Sequence, residues 1–315
     1  MLCALFDQVA GVMPAAFFDV MSAAASLGCV AAAAKIRILY FVSEVFKMRK
    51  YLITMRLSAS RAFDGGLLYI LSGYLLKSAC LFILLMLWRA LAQQGADLGG
   101  LSLDQLLTYT LLAAIFGEQL NVLTPATTAF WEGAIISRYM RPLPVLAQLM
   151  AETVGSWLPG LLLYSVPTLI IAASAGLNPG IAFLANAGTG FPARGLLFLI
   201  SLLLAMALGF AMDFIFASLV IYVKNASYQA YQIRRAIVSL FSGALIPFTL
   251  LPWGMGRVFE LLPFGSTASA PLLIFVGTGN PARLICLQII WNLIFWAAAL
   301  ILFRRSEERL VSYGG

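Results

Sequence analysis

The chain has 315 residues, is 62% hydrophobic and only 10% charged, and contains no histidine; its mean hydropathy is +0.95. Such a composition excludes a soluble globular domain and points to a polytopic membrane protein, while the missing histidine excludes a His-based triad, a His metal site and a His proton relay. The formal charge of +7 is read as Lys and Arg on cytoplasmic loops, not as a nucleic-acid surface.

Residues 1–48 form an N-terminal extension that precedes a membrane domain over 49–315. Ala15 to Ala34 is apolar but interrupted by Asp19, and no basic n-region precedes it, so it does not read as a signal peptide. The extension is either a start-site artefact, with Met48 as the natural start, or an extra helix. Residues 49–66 place Leu52, Met55 and Ala59 on one helical side and Lys50, Arg56 and Arg61 where headgroups can meet them. This pattern suits a helix lying in the interface, or a basic flank that sets topology.

A bilayer core about 30 Å thick needs about 20 apolar residues in helical form. Six segments qualify: 67–88, 106–127, 145–173, 195–223, 233–251 and 284–303. The fold class expected is therefore all-α integral membrane with six transmembrane helices. Basic residues gather at one set of loops, including Arg49, Arg138, Arg141, Lys224, Arg234, Arg304 and Arg305. The positive-inside rule puts that set, and both termini, in the cytoplasm.

Apart from Arg234 and Arg235 at the start of 233–251, four charged side chains fall within these segments: Lys77, Glu118, Glu152 and Asp213. Each costs a few kcal/mol against lipid, so each faces protein or water. Lys77 and Glu118 lie near mid-span in adjacent segments, and an ion pair between them is geometrically reasonable. They read as a structural pair or as a polar transport path. Glu152 and Asp213 lie nearer the cytoplasmic third, where water access alone accounts for their charge.

The loop 130–144 holds Glu132, Gly133, Arg138, Arg141 and Pro142. It reads as a docking element for a cytoplasmic partner, with Ala134, Ile135 and Ile136 entering that partner's pocket, or as a topogenic connection. No GxxxxGK[ST] phosphate loop exists, so ATP-driven work needs another chain's ATPase. Paired nucleophiles and bases are also missing, and Cys3, Cys29, Cys80 and Cys286 have neither metal-ligand spacing nor a disulfide framework. Hence no enzyme activity and no cofactor are expected on this chain.

Residues 241–277 are too apolar for a solvated loop and too rich in Pro and Gly for one helix. Pro247, Pro252, Pro263 and Pro271 interrupt the run. Irregular backbone at membrane depth needs protein or a water-filled cavity over it. The expected form is an outward-facing re-entrant hairpin between spans five and six. Pro247, Pro252 and Pro263 set its bends, and Trp253 and Phe264 close the exit, unless Trp253 is a plain interfacial anchor.

Three pieces of the sequence then resemble the six-span permeases of the ABC-2 type export family: Gly133 followed by Arg141-Pro142-Leu143, the Pro- and Gly-broken run 241–277, and the basic tail from Arg309 to Gly314-Gly315. The resemblance covers residues 49–315, with Trp131 standing where the family often has a charge. It implies a dimeric permease, with itself or a related chain, joined to two cytoplasmic ABC ATPase subunits that carry ATP and Mg. Glu132, Arg138 and Arg141 then become docking residues, and export of hydrophobic or amphipathic compounds across the cell membrane becomes the expected task. An ion-coupled secondary transporter using the intramembrane Lys, Glu and Asp is the alternative.

Overall fold

The computed structural model describes residues 48–61, 63–141, 143–174, 191–220 and 227–313. The expectations for residues 1–47, for Pro142 and for the terminal Gly pair lie outside the described residues. The chain parts into two compact units, Met1–Ile53 and Thr54–Gly315. In the first, residues 48–53 are helical, with Leu52 and Ile53 exposed.

The second unit begins with helical residues 54–61 (α1), followed by α2 (Gly66–Gln93), α3 (Leu103–Ile115), α4 (Gly117–Leu120), α5 (Ala126–Trp131) and α6 (Ile135–Tyr139). Then come α7 (Val145–Gly160), a π-helical turn (Leu161–Ser165) and α8 (Val166–Ser174). The remainder is α9 (Phe191–Val220), α10 (Ser227–Phe241), two 3₁₀ turns, α11 (Met255–Leu261), α12 (Pro263–Thr267), α13 (Ser269–Val276) and α14 (Pro281–Tyr313). No strand occurs among the described residues.

Four stretches among the described residues are long and apolar enough to cross a membrane: 70–93, 145–170, 195–219 and 281–306. They match the expected first, third, fourth and sixth spans. The other two expected spans are broken. Segment 106–127 stops at Ile115, restarts for one turn at Gly117 and stops again at Asn121. Phe116 and Asn121 leave helical geometry at those breaks. The start of α3 is firm, because Ser102 and Gln105 form a reciprocal capping box. Segment 233–251 ends as helix at Phe241, where Gly243 turns into the left-handed region at φ 76°.

Packing nevertheless defines how these pieces run. Trp88 clusters with Leu101, Leu106 and Leu107, and Leu81 clusters with Leu111 and Ile115; α2 and α3 are therefore antiparallel. Side-chain bonds link Gln288 to Ser201, Asn292 to Leu204 and Ser306 to Ser218. Both residue numbers rise together along these contacts, so α9 and α14 are parallel. A chain that leaves one end of α9 and enters α14 from the other must travel back along their length. α10 and the broken segment after it supply that return.

The core is aromatic and built around α9. Phe210 and Phe214 stack on each other and pack against Trp157, Trp296 and Phe303, the last two edge-on. The expected partner-seeking Ile135 is instead fully buried in this core, while Ile136 is exposed. In α1 the half-buried residues are Thr54, Met55, Ser58 and Ala59. A Cβ at Gly155 would collide with the Met55 carbonyl, so glycine is what lets α1 lie against α7.

Candidate functional site

Three charged groups and one broken segment hold the candidate functional residues. The first group is Lys77 with Glu118. The antiparallel register of α2 on α3 continues into α4, and it brings Lys77 Nζ to 2.7 Å from Glu118 Oε1. Both side chains are about half exposed, at 48% and 44%. Tyr74 and Tyr164 stack at 5.7 Å between ring centroids. Lys77 Nζ stands 5.9 Å and 5.8 Å from those two rings, within cation–π reach. Gly160 makes room on the other side: a Cβ there would be 3.2 Å from Glu118 Oε2.

The second group ties the 130–144 loop to a span. Arg138 Nη1 lies 2.8 Å from Glu152 Oε2, and Arg141 Nη1 lies 3.6 Å from Glu152 Oε1. Glu152 is buried, Arg138 nearly so, and Arg141 is half exposed. Glu152 therefore faces two guanidinium groups and not open water. The hydroxyl of Ser58 donates to the Glu152 carbonyl oxygen at 2.6 Å, which joins α1 to the same point. Glu132 is exposed, and Gly133 takes φ 72° at the turn between α5 and α6.

The third group is fully enclosed. Asp213 on α9 and Arg234 on α10 have side chains that are only 2% exposed, with Nη1 and Oδ1 2.9 Å apart. The other carboxylate oxygen accepts from the Thr124 backbone N–H at 2.8 Å and from the Thr124 hydroxyl. Arg234 Nη2 donates to the Val122 carbonyl, and the guanidinium lies 6.0 Å from the Phe216 ring. The Nη1–Oδ1 approach is a charge contact more than an aligned hydrogen bond, and Arg234 Nε has no acceptor among the described residues. Here too the water reading fails: Asp213 is held by protein. Arg234, counted among the topogenic cations, is an internal residue. A carboxylate inside a span demands a partner, and that demand was the one signal in the sequence pointing to Arg234.

The broken segment places its expected residues differently. Pro247 and Pro263 are buried and begin the first 3₁₀ turn and α12. Pro252 is exposed and opens the second 3₁₀ turn. Trp253 is 93% exposed with φ 57°, the non-glycine residue of positive φ among the described residues. Phe264 packs 6.3 Å from the Phe241 ring. Gln288 donates to the Ser266 carbonyl at 2.9 Å, so α12 is anchored to α14. The segment meets the 94–102 turn, since a Cβ at Gly99 would collide with the Thr249 carbonyl. That turn follows α2, whereas α1, which touches Glu152, precedes it.

Among the described residues no cluster of His, Cys, Asp and Glu could hold a metal ion. No curated protein matches the sequence. Residues 79–314 match the family described as ABC-2 family transporter protein. That match takes in Glu118, the Arg138–Glu152 tie, the Asp213–Arg234 pair and the whole broken segment. With its long apolar helices, the chain is a multi-pass membrane protein that belongs to the ABC-2 transporter family.

Proposed function

We propose that this chain is the permease subunit of an exporter that moves hydrophobic or amphipathic compounds out of the cell, powered by ATP and Mg on a separate ABC ATPase. Two ATPase copies and two permease chains, identical or related, form the working unit in the cell membrane. Both termini and the 130–144 loop face the cytoplasm in this reading. The observation that carries it is the Arg138–Glu152 contact of 2.8 Å inside a family-matched chain. A force applied to the loop passes through that bond into α7 and, through Ser58, into α1. Glu132, Gly133, Arg138, Arg141 and Pro142 form the docking region, with the exposed Glu132 and half-exposed Arg141 offering charge to the partner.

Reconstitution tests the proposal. The chain alone in liposomes is expected to show no uphill flux, and the chain with its copurifying ATPase is expected to show ATP-dependent flux. Uphill flux from the chain alone, driven by an ion gradient, would instead establish the secondary-transporter reading, which the Lys77–Glu118 pair favours.

The 241–277 segment serves as the outward gate in the same proposal. It shares an end with the 94–102 turn, away from the α1–Glu152 contact. Single cysteines at Trp253 and Phe264, in a chain without native cysteines, are expected to label from outside with an impermeant maleimide. Labelling at Phe264, which packs inward, is expected to change on ATP turnover. Equal rates in every state would remove the gate assignment and leave Trp253 as an interfacial anchor.

A further inference from the structure

The Lys77–Glu118 pair sits about 10 Å inside its span, counting from Ile70 at about 1.5 Å per residue. At that depth a half-exposed charge pair facing acyl chains is disfavoured, so something polar covers it. Almost none of the apolar stretch of α2 is buried within the chain. Open space lies beside the pair: a Cβ at Gly73, one turn before Lys77, or at Gly117, next to Glu118, would meet no atom within 4 Å. The adjoining wall is shaped. Tyr164 belongs to the π-helical turn Leu161–Ser165, an irregularity frequent at functional sites.

We propose that Tyr74, Lys77 and Glu118, with the buried Tyr164 behind them, bind the zwitterionic headgroup of an amphipathic molecule at membrane depth. The reasoning is charge balance. Lys77 and Glu118 are neutral as a pair, so a ligand with one net charge entering between them leaves one charge unmatched in a poorly solvated place. A zwitterion leaves none: its anionic group takes the Lys77 ammonium, and its cationic group takes the Glu118 carboxylate. The face of Tyr74, already within 6 Å of one cation and backed by the buried Tyr164, favours a second. The apolar tail then lies along the uncovered side of α2. The proposal rests on the permease reading only in naming the molecule as cargo; the same headgroup chemistry belongs to a bound membrane lipid.

The test uses the full chain in nanodiscs and three amphiphiles of equal chain length: a lysophosphatidylcholine, a lysophosphatidylglycerol and an uncharged monoacylglycerol. Cys80, exposed and one turn beyond Lys77, reports occupancy in a chain whose other cysteines are replaced. The zwitterionic probe is expected to slow alkylation of Cys80 by a membrane-permeant maleimide at a concentration about tenfold lower than either other probe, one decade in affinity. Lys77→Met with Glu118→Gln is expected to abolish that preference. The charge-swapped Lys77→Glu with Glu118→Lys is expected to keep it, which separates loss of the site from loss of folding. Equal protection by all three probes, or full preference in the double neutral variant, would overturn the proposal. Flux of the zwitterionic probe by the ATPase-bearing complex identifies cargo, and binding without flux identifies a resident lipid. ATP-driven flux of other compounds with no zwitterion preference would sink this site and leave the permease reading standing.

Discussion

Arg234→Met is expected to be the most damaging single substitution in this chain. It leaves Asp213 charged and enclosed, with only the Thr124 donors to hold it. Breaking a buried pair from one side typically costs about 3–5 kcal/mol. Here the pair also ties three elements together. Asp213 belongs to α9, Arg234 to α10, and Val122 and Thr124 to the bend between α4 and α5. The expected result is loss of the monodisperse detergent-solubilised peak and of its thermal transition. Adding Asp213→Asn removes the stranded charge while keeping an acceptor for Thr124, and is expected to recover much of the loss. An unchanged transition temperature in Arg234→Met alone would refute the role of the pair as a staple.

The second large effect concerns force transmission. Arg138→Glu sets two carboxylates against each other at Glu152, where truncating or reversing a buried charged partner typically costs about 2–5 kcal/mol. Stimulated ATP hydrolysis of the complex is expected to fall sharply, while membrane insertion continues. Glu152→Arg in the same chain restores the attraction with its polarity exchanged. If the loop works through its internal tie, the exchanged pair regains coupling. If Arg138 instead touches the ATPase directly, the exchange restores nothing. Arg141→Glu, at the half-exposed position, is expected to weaken complex yield with or without the exchange.

The sequence made some of this visible, and the reasons differ by residue. Lys77 and Glu118 were legible as a pair because two opposite charges at equal depth in neighbouring apolar runs have few other partners. The long helices were legible because composition alone decides them. α14 still runs past the expected Phe303 to Tyr313, since Arg304 and Arg305 are good helix formers and no Gly or Pro follows them before Gly314. The break at Phe116 was hidden, because no proline marks it and Gly117 is the only local cue. Arg234 was hidden by a counting rule: basic residues near span ends are read as topology signals, and burial is invisible to that count. Ile135 misled for a related reason. An apolar triplet in a charged loop suggests a partner, yet Gly133 turns the chain so that Ile135 enters its own core.

The shortness of α3 bears on how the protein is made. Its 13 residues span roughly 20 Å at 1.5 Å per residue, well under the roughly 30 Å of hydrocarbon. A segment of that length, followed by a bend, is not retained in a bilayer by its own hydropathy. It stays by packing: on α2, whose Leu81 and Trp88 it meets, and on α9 and α13 through Tyr109 and Leu112. Its carboxyl-terminal continuation depends on Asp213 and Arg234, synthesised about a hundred residues later. Integration of this chain at the translocon is therefore not a one-by-one release of finished helices. The second segment must wait, shielded, until the later ones arrive, and biogenesis becomes a step at which α9 and α10 decide the fate of α3.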